Sequence, residues 1–84
     1  MQNDEYNVLY WETAGIVMTL SQMARKKINE GILDEADVYV KRAYNEITDF
    51  EDFFALNGDR MTPGVTGGIR KHIGRVEKLL EATK

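Results

Sequence analysis

The sequence predicts an all-α fold, with three helices in up-down-up order. The first two form a long hairpin and the third is shorter. Three observations predict it. Helix-forming residues dominate positions 3–57, where the only glycines are Gly15 and Gly31. Apolar residues recur there at three- and four-residue steps, the spacing of a helix with a buried face. The chain-turning residues gather late, around the single proline Pro63 and the glycines Gly58, Gly64, Gly67, Gly68 and Gly74. Eighty-four residues are too few to divide into two self-sufficient cores, so a single α-helical domain over 1–84 is expected.

The first helix is predicted over residues 3–30. Asn3 or Asp4 can cap it, and Asp4 and Glu5 suit the positive end of its dipole. Arg25, Lys26 and Lys27 fall at the negative end. Gly31 reads as the left-handed residue after the helix, with Ile32 completing a Schellman turn. The second helix follows at once, with Asp34 as its N-cap and Leu33 and Val38 spaced as a hydrophobic staple. It is expected to end at Leu56 or Asn57, before Gly58. The third has two possible starts: Thr62 capping with Pro63 in the first turn, or Thr66 capping, with a body over 69–82 either way. The turn at 31–33 is short enough to make the first two helices antiparallel neighbours.

The apolar faces differ in kind. The second helix has one narrow seam, Ala36, Val40, Ala43, Ile47, Phe50 and Phe54, flanked by Tyr39, Tyr44 and Phe53. The third gives Ile69, Ile73, Val76 and Leu80, widened by His72 and Leu79. The first carries a broad face of Tyr6, Leu9, Tyr10, Thr13, Ile16, Val17, Leu20, Met23, Ala24 and Ile28. A second stripe of Val8, Trp11, Gly15 and Met18 lies nearly opposite. A helix apolar on two sides calls for burial on two sides. Either the third helix covers the second stripe, or the stripe is an interface with a partner or another copy. Tryptophan beside methionine and valine favours the interface, where such residues concentrate.

Charge is segregated. Residues 1–33 carry four acids and three bases, residues 34–59 eight acids and two bases, and residues 60–84 two acids and six bases. Packed neighbours can neutralise one another. Alternatively the basic segment serves an anionic partner, or the acidic face imitates nucleic acid. The net charge of −3 argues against a dedicated nucleic-acid binder.

Composition narrows the chemistry. There is no cysteine and one histidine, His72, so thiol catalysis, disulfide scaffolds and multi-histidine metal sites are excluded. No cofactor and no metal are expected. The longest aliphatic run, residues 16–18, spans no membrane, and the polar, acidic start of the chain does not read as a signal peptide. A cytoplasmic location is the expectation. The stretch from Thr62 to Arg75 is the most suggestive chemically. Glycines before a helix free backbone N–H groups for an anion, and Thr66, Gly67, Gly68, Arg70, Lys71 and Arg75 form the candidate ligand site. Lys71 and Arg75, four apart, can converge on one ligand, whereas Arg70 is the expected partner of the acids on the second helix. The spacing is not that of a P-loop. Glu46, Asp49 and Asp52 share a face that reads as solvated, because the first helix offers no matching set of acids. His72 reads as a half-buried structural histidine.

The sequence therefore reads as a small, non-enzymatic binding protein. The leading expectation is a protein-interaction module, an adaptor or inhibitor of a larger protein in the style of a phage- or virus-encoded regulator. It self-associates into a homo-oligomer through Val8, Trp11, Gly15 and Met18. The alternative is a binder of a small phosphorylated ligand such as a nucleotide. Membrane and nucleic-acid partners are not expected.

Overall fold

A computed structural model of the chain describes residues 3–56 and 66–84, with side chains described over 7–53 and 66–84. Three helices are present: α1 (Asn3–Asn29), α2 (Leu33–Leu56) and α3 (Gly67–Thr83). Among the described residues there is no strand, and no helix is long and apolar enough to cross a membrane.

The α1–α2 turn follows the sequence closely. Gly31 has φ +78°, a left-handed conformation that costs a residue with a side chain far more than glycine. The Gly31 N–H donates to the Ile28 carbonyl at 3.0 Å, and the Ile32 N–H donates to that of Lys27 at 2.9 Å. These are the two bonds of a Schellman turn, and they satisfy carbonyls that the helix end leaves open. The start of α2 differs from expectation. The helix begins two residues early, at Leu33, and the Ala36 N–H already donates to the Ile32 carbonyl at 3.2 Å. Asp34 thus lies inside the first turn rather than at the cap, its carboxylate accepting from the adjacent Glu35 N–H. The Leu33–Val38 staple does not close: Leu33 packs on the core while Val38 stands in solvent.

Ion pairs and ring contacts fix the directions. Lys27 meets Glu35 at 3.3 Å beside the turn, and the Tyr10 and Phe50 rings meet edge-on at 6.0 Å towards the other end. Hence α1 and α2 are antiparallel. Glu51 pairs with Arg70 near the start of α3, the Tyr44 hydroxyl donates to Glu77 at 3.2 Å, and Lys84 approaches Asp37 at 3.8 Å. So α3 runs against α2 and parallel to α1, completing the up-down-up order.

The core forms where the three seams meet. Val17, Leu20, Ala24 and Ile28 of α1 pack with Ala36, Val40, Ala43 and Ile47 of α2 and with Ile69, Ile73, Val76 and Leu80 of α3. Phe50 is also buried. The predicted seams of α2 and α3 hold, except that Leu79 and Phe53 are exposed; Phe54 lies outside the described side chains. On α1 the core face is narrower than predicted. Ile16 and Met23 are exposed, because two neighbouring helices cover too small a sector to reach that edge of the stripe. Ser21 is fully buried instead, its hydroxyl donating to the Val17 carbonyl at 2.7 Å, so its polarity is satisfied within the helix.

Candidate functional site

Two surfaces stand out. The first is the outer face of α1. Val8, Trp11, Gly15 and Met18 follow one another at steps of three, four and three, on the side of the helix away from Val17, Leu20 and Ala24. The third helix does not cover them. Trp11 is 69% exposed, Val8 57% and Met18 45%. Large apolar side chains at this spacing form a seam with no helix against it. Gly15 sits in its middle, and a Cβ built there meets no atom within 4 Å. The missing side chain leaves an open groove lined by Trp11, Glu12, Gly15, Ile16, Thr19 and Leu20. Ile16, placed in the core from the sequence, is a wall of this groove. The Trp11 ring stands nearly perpendicular to that of Tyr10, centroids 5.3 Å apart, so it is braced on one side and open on the other.

The second surface is the basic face of α3, and here the predicted set divides. Thr66 precedes the helix, but its hydroxyl makes no capping bond. It is buried and donates to the Glu51 carboxylate at 2.7 Å. Arg70 is bound to the same carboxylate through both Nε and a terminal nitrogen. Thr66 and Arg70 therefore tie α3 to α2 and leave the proposed anion site. The Arg70 bonds are the main cause holding the Glu51 carboxyl below its ordinary range, with the Thr66 hydroxyl acting in the same direction and partial burial opposing it. Gly67 and Gly68 form the first turn of α3 and are unobstructed at Cβ. Lys71 and Arg75 do converge, and Lys78 joins them one turn on. The three surround Gly74 in a shallow cationic hollow. None of these three cations has an ion pair among the described residues, whereas Lys27, Lys41, Arg70 and Lys84 all do.

Lys78 lies one turn beyond Arg75, outside the glycine-rich segment that marks the rest of the set. Its signal was the same spacing that links Lys71 and Arg75, continued by three residues. His72 is half-buried on the adjoining flank, in keeping with a structural role. Among the described residues no group of three or more histidine, aspartate or glutamate side chains is placed to hold a metal. No protein-family model, curated protein or solved structure matches the chain significantly.

Proposed function

We propose that this chain is a small, non-enzymatic interaction module that self-associates through the outer face of α1, as an adaptor or inhibitor acting on a larger protein would. One observation carries the proposal. Trp11, 69% exposed, stands with Val8 and Met18 in an apolar seam on the side of α1 opposite the core. Exposed tryptophan is costly in water and contributes heavily to interfaces when covered. The test is light scattering across a concentration series on the wild-type chain and on Trp11→Glu. The wild type is expected to gain mass with concentration. The variant is expected to stay monomeric with its helical circular dichroism intact. A wild type that is monomeric at every concentration refutes the proposal.

A second reading is supported by the Lys71–Arg75–Lys78 hollow, which suits a phosphorylated small molecule such as a nucleotide. A thermal-shift panel of mono-, di- and cyclic nucleotides against a salt control tests it. Ligand at 100 times its Kd stabilises by about 2.7 kcal/mol, a readily measured rise in Tm. Arg75→Ala should abolish the shift. A flat panel removes this reading and leaves the first untouched.

A further inference from the structure

We infer that the occupant of the α1 seam is a second copy lying antiparallel. A two-fold axis would set Trp11 in the groove over Gly15 of the partner subunit, and Val8 against Met18 of the partner subunit. This rests on the proposed self-association and specifies its geometry.

The register follows from the seam itself. In an antiparallel helix pair, facing positions have a constant sum. A sum of 26 pairs Val8 with Met18 and Trp11 with Gly15, so all four residues face one another and none faces a polar residue. Sliding one heptad in one direction sets Val8 against Arg25 and Trp11 against Gln22. Sliding in the other sets Gly15 against Asp4. Both slips place polar or charged groups in an apolar seam, at a desolvation cost.

Volume separates antiparallel from parallel. A parallel pair would stack Trp11 on Trp11 in one layer and leave Gly15 facing Gly15 in the next, crowding one and emptying the other. The antiparallel pair sets large against small in each central layer, which is how facing helices fill space evenly. The groove agrees, since it is open where a Gly15 side chain would stand.

Charge points the same way. The acids of α1 lie in its first half, at Asp4, Glu5 and Glu12, and its bases in its second half, at Arg25, Lys26 and Lys27. Antiparallel packing opposes acidic half to basic half and aligns the two helix dipoles favourably, whereas parallel packing sets like against like. In this register Asp4 and Glu5 lie opposite positions 22 and 21 of the other copy, about one turn from Arg25 of the partner subunit, while Glu12 lies opposite Ala14 of the partner subunit and takes no part. Arg25 is exposed and has no ion pair among the described residues. Because α2 and α3 pack on the other side of α1, the approach is open.

The test uses the full chain, which has no cysteine to confuse it. Val8→Cys/Met18→Cys should form a covalent dimer on mild oxidation. Val8→Cys alone and Met18→Cys alone should form it about ten times less. In this register the two copies of position 8 lie ten residues, roughly 15 Å, apart along the axis, beyond the ~7 Å limit on Cα separation for a disulfide. Gly15→Leu, which fills the groove, should abolish the dimer, and at a dilution where the wild type is monomeric its Tm should not fall, because a leucine suits a helix better than glycine and the site is open. Efficient cross-linking through Val8→Cys alone, or a Gly15→Leu chain that dimerises like the wild type, overturns the register while leaving self-association standing. A wild type that is monomeric in sedimentation equilibrium overturns self-association itself.

Discussion

Replacing Glu51 with glutamine isolates one charge at the joint between α2 and α3. The carboxylate of Glu51 accepts from the Thr66 hydroxyl at 2.7 Å and from two nitrogens of Arg70. It is the described polar link between the end of α2 and the start of α3, so it sets where the third helix docks. Hydrogen bonds to charged groups contribute about 1.5–3 kcal/mol when shielded, and exposed ion pairs under about 1. The Glu51 side chain is 30% exposed and that of Arg70 40%, which places Glu51→Gln between these limits, at a loss of about 1–2 kcal/mol. With a urea m-value near 1 kcal/mol/M for so small a chain, the midpoint should fall by about 1–2 M. The pH profile gives the sharper test. The folded carboxyl titrates below its ordinary value, so its contribution is fully present above the unfolded pKa, near 4.5, and is lost as pH falls through the folded pKa. The gap between wild type and variant should therefore be full at pH 7, narrow below about pH 4.5 and vanish in stronger acid. Equal midpoints at pH 7, or a gap that stays constant into acid, would refute the role given to Glu51.

Three further outcomes are expected from chemical or thermal denaturation. Phe50→Ala should cost about 3–5 kcal/mol, because the ring is buried and packs edge-on against Tyr10; a loss under about 1 kcal/mol would put it outside the core. Gly31→Ala should cost about 1–2 kcal/mol through backbone strain alone, since φ is +78° and nothing lies within 4 Å of the new Cβ; unchanged stability would mean the turn is not left-handed. Gly74→Ala should stabilise by about 1 kcal/mol, because this helix-interior glycine would gain only an ordinary contact with the Tyr44 hydroxyl at 3.8 Å; a lower Tm would reveal a clash there.

Local rules carried much of the fold into the sequence. The Schellman turn at Gly31 and the seam of α2 depend on residues a few positions apart, and both are visible as spacing. Asp34 suits a cap well by composition, yet the tight Gly31 turn lets the Ile32 carbonyl open the helix two residues sooner. Ile16 and Met23 have core spacing yet stand exposed, because helical spacing defines a face but not how wide a sector the neighbouring helices cover. The same limit hid Ser21, whose hydroxyl is satisfied by its own helix and so costs little to bury. In the candidate sites the α1 seam was legible as a second stripe. The pairing of Arg70 with an acid of α2 is also legible, and Glu51 is that acid. The diversion of Thr66 was not legible, since nothing local links it to a carboxylate fifteen residues earlier.

The slender outline of the bundle bears on how it moves through solvent. Its extents are 43 × 18 × 17 Å and its radius of gyration is 14.0 Å, against about 12 Å for a compact chain of this length. A rod drags more water than a sphere of equal mass, so a lone chain should elute early in gel filtration and pass for something heavier than 9.6 kDa. Pairing along α1 joins two rods side by side. In the register proposed, the six-residue offset of the two helices lengthens the particle by only about 9 Å while doubling its mass and its breadth, so the frictional ratio should fall as the pair forms. Sedimentation velocity would then show a coefficient rising more steeply with association than an end-to-end pair could produce.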